Sequence, residues 1–188
     1  MNFLRFLYNW VFKKETILTV YVTIIKDVKV TTGDLLFTSD AKLFGYTLDK
    51  GQFIGPTNHV IMYLGPDYKF IEAGPAGVQI FNGLSLGWYN FQSYRYGLSD
   101  KFWAVSKIKL TDSARKVVAQ YCINQIGKPY NVNFLNSQTK KAFYCSQLIY
   151  WAYRKAGIDL LPRGESLLYD KTKLIVPFEL WKAIEKKD

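Results

Sequence analysis

The sequence predicts an α+β fold in which a central antiparallel sheet of about five strands is packed with helices. Two patterns predict it. Up to residue 110, the chain contains short apolar, β-branched runs separated by turn residues, which are typical of strands. After residue 110, apolar residues recur with helical spacing. The length of 188 residues suits one domain with its own core. A hydrophobic share of 49% is typical of globular proteins and argues against a disordered chain.

The N-terminal segment carries two apolar runs of different character. In residues 1–12, apolar side chains have helical spacing and predict an amphipathic helix, either docked on the domain or lying on a membrane. In residues 16–25, β-branched side chains favour a strand, with a helix continuing from the N-terminus as the alternative. Neither run reaches the roughly 18 apolar residues of a spanning helix, and no cleavable signal peptide is recognised. These features predict a protein that is cytoplasmic or peripherally associated with a membrane or envelope.

Five strands are predicted between residues 33 and 110. The run 59–65 is almost wholly apolar, which is typical of a strand buried on both faces. Short turns between neighbouring strands, such as the one at Pro66-Asp67, make the pairing mainly antiparallel. Residues 39–57 hold three glycines and a proline and are predicted to form a loop. The predicted strands cover residues 33–37, 59–65, 69–74, 77–81 and 102–110.

Three helices are predicted in the second half of the chain. The first begins at a cap formed by Thr111 or Asp112 and extends to residue 126, before a glycine. The second covers residues 145–157 and also ends at a glycine. The third is short and opens at Pro177, because proline suits the first position of a helix.

The formal net charge of +10 is spread along the chain as pairs of basic residues rather than gathered in one block. A field of this sign attracts polyanions, among them anionic membranes, cell-wall polymers and nucleic acid. Nucleic acid is the least favoured of these partners, because no recognition motif accompanies the basic residues. The alternative is an ordinary solvated basic surface.

The scarcity of reactive side chains leaves few assignments for catalysis. The chain has two cysteines, Cys122 and Cys145, and one histidine, His59. No disulfide framework or zinc-site spacing is present, so no metal or cofactor is predicted. Cys122 lies on the apolar face of the first predicted helix, which indicates a core residue.

Cys145 stands at the predicted start of the second helix. The unbonded N–H groups and the helix dipole at that end lower the pKa of a thiol, and the thiolate is the attacking form. The same N–H groups can stabilise an oxyanion. The alternative is that Cys145 is simply a small buried residue.

His59 and Glu72 are 13 residues apart, on neighbouring strands joined by a tight turn. Antiparallel pairing centred near Pro66 predicts that they lie close to opposite each other on one face. A carboxylate behind an imidazole fixes its tautomer and supports the imidazolium, as the third member of a triad does. The alternatives are a structural histidine and an exposed strand glutamate.

Two segments resemble a known superfamily. IGKPYNVNF followed by FYCSQLIYWAYRKAGIDL resembles the NlpC-type papain-like cysteine peptidases, in which a G-x-P-Y turn precedes a helix that begins with the nucleophilic Cys-Ser. In those peptidases the histidine follows the helix. Here the histidine precedes the helix, in NHVIMYLG, which stands between GDLLF and FIEAGPAGVQI. This order, with the closing LIVPFELW, resembles the circularly permuted YiiX/YebB-like (YycO-like) branch. The resemblance covers residues 30–184 and divides the chain into an N-terminal extension, 1–29, and a permuted NlpC-like hydrolase domain, 30–188.

The resemblance implies a role for each candidate residue. Cys145 would attack the substrate, His59 would act as base, and Glu72 would orient the histidine. Tyr130, in GKPY, would lie near the nucleophile and help to position the substrate or the oxyanion. The sequence departs from the unpermuted peptidases at residues 144 and 147, where they usually carry Asp and Gly. Further candidate substrate-binding or oxyanion residues are Ser146, Tyr144 and Asn58.

The function predicted from these features is hydrolysis of an amide bond through a thioester acyl-enzyme, with no cofactor. The resemblance implies a peptidoglycan stem peptide or an isopeptide as the first choice of substrate. One alternative is a membrane-associated lipid acyltransferase or N-acyl amidase, which would suit the N-terminal segment and the positive charge. The other is a catalytically inactive, basic binding module.

Overall fold

The computed structural model describes residues 16–17, 19–25, 28–38, 42–43, 46–47, 59–66, 69–82, 103–106, 108–164 and 167–185. The predicted amphipathic helix at residues 1–12 lies outside the described residues, as do Asn58 and most of the predicted loop 39–57.

The centre of the domain is a five-stranded sheet in which every neighbouring pair is antiparallel. The strands are β1 (Val22–Ile25), β2 (Val28–Thr31), β3 (Leu35–Thr38), β4 (Lys42–Leu43), β5 (Tyr46–Thr47), β6 (His59–Gly65), β7 (Lys69–Gly74), β8 (Gly77–Asn82) and β9 (Trp103–Ser106). The order in the central sheet is β8-β7-β6-β3-β9, while β1 pairs with β2 and β4 with β5. The predicted α+β class and its five-stranded antiparallel sheet are confirmed.

The strand bounds agree best where the sequence signal is local. β6 and β7 have the predicted bounds, because each is a buried run closed by turn residues. β9 is shorter than predicted, and residues 108–110 have no regular structure. Of residues 16–25, only the last four form a strand. The predicted loop 39–57 contains the short pair β4 and β5.

The helices are α1 (Asp112–Ile123), α2 (Cys145–Lys155), α3 (Leu167–Thr172) and α4 (Pro177–Glu185). Thr111 caps α1, since its hydroxyl oxygen accepts from the backbone N–H of Ala114 at 3.2 Å. The chain turns away after α1 and α2 at Gly127 and Gly157, whose positive φ angles suit glycine. α3 was not predicted, because its six residues are too few for a helical period to stand out.

The core lies between the sheet and the helices. α2 packs against α1 on one side and against β6 and β7 on the other. Fully buried side chains from both layers fill this space, each contributing roughly 1.5–3 kcal/mol of burial free energy. This packing places the first turn of α2 over the middle strands of the sheet. Among the buried core residues are Leu35, Met62, Ile71, Val118, Cys122, Leu148 and Tyr153.

The segment before β2 is attached to the domain by specific hydrogen bonds. The backbone N–H of Ile17 donates to Gln120 Oε1 of α1 at 2.8 Å, and that of Tyr21 donates to Thr32 Oγ1 at 2.9 Å. The β1–β2 pairing, with Val22 opposite Thr31, crosses the predicted boundary between residues 29 and 30. Within the described part of the chain, no helix is long and apolar enough to cross a membrane.

A buried ion pair joins α1 to the turn before β3. Arg115 Nη1 lies 2.7 Å from Asp34 Oδ1, and the other carboxylate oxygen accepts from the backbone N–H of Thr31 at 2.8 Å. Arg115 also donates to the carbonyls of Thr32 and Ile108. Because the Asp34 carboxylate is buried and the Arg115 guanidinium is largely so, removal of either would leave an uncompensated charge.

Candidate active site

Cys145 is the first residue of α2, and its side chain is buried against the sheet. His59, the first residue of β6, lies close enough to the thiol to lower its pKa through hydrogen bonding and charge, and the backbone at Val60 and Ser146 acts in the same direction. The start of a helix and the start of a strand therefore meet at the sulfur. The two residues of this pair, His59 and Cys145, are 86 positions apart in the sequence.

The imidazole of His59 is also bonded to Glu72 of β7. Nε2 of His59 lies 2.8 Å from Oε2 of Glu72, in a partly buried position. Because this contact occupies Nε2, the other ring nitrogen, Nδ1, is the one available to the sulfur of Cys145. The structure thus places the side chains of Cys145, His59 and Glu72 close together.

A fourth polar side chain, Gln79 of β8, extends this set. Gln79 lies directly opposite Glu72 in the β7–β8 pairing, and its Nε2 donates to Glu72 Oε1 at 2.7 Å. Each carboxylate oxygen of Glu72 therefore has its own partner. Sequence reasoning missed Gln79, although the register of the tight hairpin at residues 74–77 would have placed it opposite Glu72.

Gly74 leaves the space through which Glu72 reaches His59. A Cβ atom at Gly74 would lie only 3.0 Å from Glu72 Oε1 and 3.4 Å from its Cδ. The backbone at Gly74 does not have a positive φ angle, so a larger residue would be disfavoured by contact with Glu72 and not by backbone conformation. Gly74 is thus a positioning residue for the carboxylate.

The electrostatics of the pair favour charge separation. Burial is the strongest influence on the pKa of His59 and lowers it, but the bonds and charges of Cys145 and Glu72 outweigh burial and raise this pKa to about 10. Burial likewise raises the pKa of Cys145, but the hydrogen bond and charge of His59 and the backbone bonds lower it below its usual value. Both pKa shifts favour the thiolate–imidazolium form of the pair over its neutral form.

Tyr130 lies beside this pair. A parallel bridge joins Tyr130 to Phe143, two residues before the nucleophile. Burial raises the pKa of the Tyr130 phenol, and the charges of Cys145, Tyr144 and Glu72 raise it further. The hydroxyl therefore stays protonated near the sulfur and can donate a hydrogen bond.

The side chains of Tyr144 and Ser146 are engaged by the protein itself. Ser146 Oγ donates to the carbonyl of Ile175 at 2.7 Å. The hydroxyl of Tyr144 accepts from the backbone N–H of Ile175 at 3.2 Å and donates to the carbonyl of Phe134. Both hydroxyls are thus already hydrogen bonded within the protein. Asn58, the remaining predicted site residue, lies outside the described residues.

Gln147 organises the loop that leads into α2. Its Nε2 donates to the carbonyls of Ser137 and Thr139, and its Oε1 accepts from the backbone N–H of Tyr144 and from Asn131 Nδ2. The amide is completely buried, so all these bonds are shielded from water. Sequence reasoning noted Gln147 only as a departure from a glycine and missed this role.

The fold and the site together define a class of protein. A cysteine at the start of a helix that meets a histidine on an antiparallel sheet, with the histidine earlier in the chain, is the arrangement of a permuted papain-like cysteine hydrolase. The sequence model of the family described as "Permuted papain-like amidase enzyme, YaeF/YiiX, C92 family" matches residues 29–169. The chain belongs to this family, so the predicted resemblance is confirmed.

A solved structure has the same fold. The chain is similar to yiiX from Escherichia coli O157:H7 with a TM-score of 0.53 and 18% identity, over 79% of this chain and 90% of that one. No curated protein matches the sequence significantly.

The yiiX protein is described as a metalloprotein. In the part of this chain that the structure describes, no group of three or more histidine, cysteine, aspartate or glutamate residues could hold a metal ion. The described residues therefore do not fit a metal site.

Proposed function

We propose that the protein hydrolyses an amide bond through a thioester formed on Cys145. The observation that carries the proposal is the position of His59 between Cys145, whose pKa it lowers, and Glu72, whose carboxylate lies 2.8 Å from its Nε2. Membership of a papain-like amidase family supports it and implies a peptide-like substrate.

In the first half of the reaction, the Cys145 thiolate attacks the carbonyl carbon. The developing oxyanion is stabilised by unbonded N–H groups at the start of α2 and by the helix dipole. His59, which holds a proton because its pKa is raised, donates that proton to the leaving nitrogen. The C–N bond breaks, the amine leaves, and a thioester remains on the sulfur.

In the second half, water hydrolyses the thioester. The neutral imidazole of His59 takes a proton from the water as it adds to the carbonyl carbon. The C–S bond breaks, the carboxylic acid is released, and the sulfur leaves as the thiolate. The product acid and the imidazolium–thiolate pair are thus formed together, and the site is ready for another substrate.

Glu72 and Gln79 support His59 through both halves. The carboxylate of Glu72 stabilises the imidazolium and holds the ring so that Nδ1 faces the sulfur. Gln79 holds the second oxygen of that carboxylate. Because the set is partly buried, these charged hydrogen bonds are stronger than they would be in water.

The first choice of substrate is a peptidoglycan stem peptide or an isopeptide, which the resemblance to NlpC-type peptidases suggests. An N-acyl amide of a lipid is the second, because exposed apolar side chains lie beside the site, at Val132, Phe134 and Leu135. Both share the reacting amide, so the residues above would have the same roles in either case. A catalytically inactive binding module would have no need of the ordered set at Cys145.

The proposal is tested with three substrate classes: stem peptides, an isopeptide-linked dipeptide and an N-acyl amino acid. We expect one class to be cleaved to free amine and acid by the wild type, with acyl mass added to the peptide that contains Cys145 after acid quenching. Cys145→Ala should abolish both signals, while Cys122→Ala, at the buried core cysteine, should retain them. Cleavage by Cys145→Ala at the wild-type rate would refute the thioester mechanism, and no cleavage of any class would count against the amidase.

A further inference from the structure

A loop next to the nucleophile displays apolar side chains to solvent. Val132 is 63% exposed, Phe134 38% and Leu135 68%. We call residues 132–135 the apolar loop. Single exposed apolar residues are common, but three within four positions are not explained by the core.

Hydrogen bonds hold the apolar loop in place. Asn131 is buried, and its Oδ1 accepts from the backbone N–H of Asn133 at 3.0 Å. Its Nδ2 donates to the carbonyl of Asn136 at 3.1 Å and to Oε1 of the buried Gln147 at 3.0 Å. One side chain thus spans both ends of the loop and joins it to α2. The exposed apolar side chains are therefore presented by a braced turn and not by a loose one.

The apolar loop is also continuous with the site. The ring of Phe134 packs edge-on against Tyr144 at a centroid distance of 5.4 Å and against Tyr130 at 6.3 Å. Tyr144 immediately precedes Cys145, and Tyr130 lies near its sulfur. A series of aromatic ring contacts therefore connects the exposed loop with the residue before the nucleophile.

The chain around the apolar loop is strongly basic. Between Asp112 and Asp159 the sequence holds seven lysine and arginine residues and no aspartate or glutamate. Two of the seven, Lys140 and Lys141, are exposed and closely follow the loop. The backbone of Lys173, from another part of the chain, contacts the segment after the loop, since its carbonyl accepts from Ser137 Oγ, and its Nζ lies over the ring of Tyr169.

We propose that the apolar loop docks the protein on an anionic lipid bilayer, with Val132, Phe134 and Leu135 entering the boundary between headgroups and acyl chains. Apolar side chains gain by leaving water there, and nearby lysines gain by meeting anionic headgroups. Three side chains on one turn are far too few for the core of a stable protein interface, whereas shallow insertion into a bilayer needs no larger patch. Docking in this way would place Cys145 close to the membrane surface.

Membrane docking does not depend on catalysis. Only its role, to bring amide substrates in the membrane close to Cys145, rests on the proposed function. The test is therefore binding alone. The chain of residues 1–188 is sedimented with vesicles of phosphatidylcholine and with vesicles that also contain phosphatidylglycerol. Leu135→Ser is compared with Ile24→Ser, a matched control because Ile24 is of the same size and 66% exposed on β1. Thermal unfolding of both variants checks that they are folded.

We expect binding to the anionic vesicles that Leu135→Ser weakens by about tenfold or more, as loss of one buried leucine side chain implies. Ile24→Ser should bind as the wild type does. Binding should also weaken at high salt, because screening reduces the attraction of lysines to headgroups. Cys145→Ala should bind normally, which separates failure of docking from failure of the amidase.

Three outcomes would overturn the proposal. Equal binding by Leu135→Ser and the wild type would mean that charge or another segment attaches the chain. Loss of binding in Ile24→Ser would assign the contact to the N-terminal hairpin. Concentration-dependent self-association that Leu135→Ser abolishes, without vesicle binding, would make a second copy of the chain the occupant.

Discussion

His59 and Glu72 are bonded along a diagonal of the β6–β7 pairing and are not directly opposed. Met62 pairs with Ile71 and Tyr63 with Phe70, and the same register extended by three residues would place Gly74 opposite His59. The Glu72 carboxylate crosses over Gly74 to reach Nε2 at 2.8 Å. The sequence predicts that His59 and Glu72 lie nearly opposite each other, whereas the structure has a diagonal contact that passes over Gly74.

Gly74→Ala should therefore impair the reaction without changing any reacting group. The added methyl would meet Glu72 Oε1 at 3.0 Å and push the carboxylate away from His59. We expect kcat/KM to fall by roughly 10- to 100-fold, since small misplacements of catalytic groups have effects of this size. Steady-state kinetics on the cleaved substrate measure it.

The control for this variant is Ala76→Ser, an exposed change in the same hairpin turn. It should leave kcat/KM unchanged. Glu72→Gln, which removes the charge and disturbs the tautomer, should cause the larger loss. If Gly74→Ala retains full activity, the carboxylate does not need that space.

The reactivity of Cys145 should depend on pH in a way that reports the pair. Because the pKa of Cys145 is lowered and that of His59 is raised to about 10, thiolate and imidazolium coexist across neutral pH. Alkylation by iodoacetamide should already be rapid at pH 6. kcat/KM should fall in acid as the thiolate is protonated, and fall again towards pH 10 as His59 loses its proton.

Peptide mapping of the alkylated protein provides the comparison. His59→Ala removes the partner that lowers the Cys145 pKa, so its labelling should rise only near the ordinary thiol pKa of about 8.5. Cys122 is an internal control, because burial raises its pKa and blocks access. Identical profiles in the wild type and His59→Ala would contradict an activated pair.

Tyr130→Phe should separate a hydrogen-bonding role from a structural one. Its phenol stays protonated, so the hydroxyl can donate to an oxyanion beside Cys145. We expect kcat to fall by roughly 10- to 100-fold with KM changed little, because the bond forms mainly in the transition state. The rate of Cys145 alkylation at pH 6 should stay at the wild-type value. A slower alkylation with unchanged kcat would exclude this role.

Arg115→Met should destabilise the domain, because it leaves the buried Asp34 carboxylate without its cation. The expected loss in free energy of unfolding is about 3–5 kcal/mol, measured by urea denaturation. The matched control is Arg154→Met, which breaks the exposed ion pair with Asp159 and should cost less than about 1 kcal/mol. Equal effects of the two substitutions would show that the buried pair has no special importance.

Local signals in the sequence predicted most of the elements that carry the site. β6 and β7 were found because a continuous apolar run closed by turn residues needs no information from elsewhere in the chain. The start of α2 and the N-cap of α1 were also predicted from local signals, whereas α1 ends at Ile123 and not at the predicted residue 126. The position of β9 beside β3, at the edge of the sheet, could not be predicted from the sequence, because pairing between distant segments leaves no local pattern.

The hydrogen-bond partners of individual side chains could not be predicted from the sequence either. Ser146 and Tyr144 stand next to the nucleophile in sequence, but both bond to Ile175, which arrives from beyond α3. The side-chain amide of Gln147 is hydrogen bonded to the loop that precedes α2. Adjacency to a nucleophile therefore predicts the location of a residue but not what its side chain binds.

The sequence by itself determined which residues could do chemistry, because only one histidine exists and only one cysteine begins a helix. The tertiary structure decided whether Glu72 could join them. Gly65 pairs with Lys69, and this register alone would place Glu72 on the face opposite His59. One extra residue on β6, Leu64, forms a bulge whose carbonyl accepts from Thr32 Oγ1 at 2.9 Å. Since a shift of one residue reverses the face of every side chain that follows, this bulge turns the carboxylate towards the histidine.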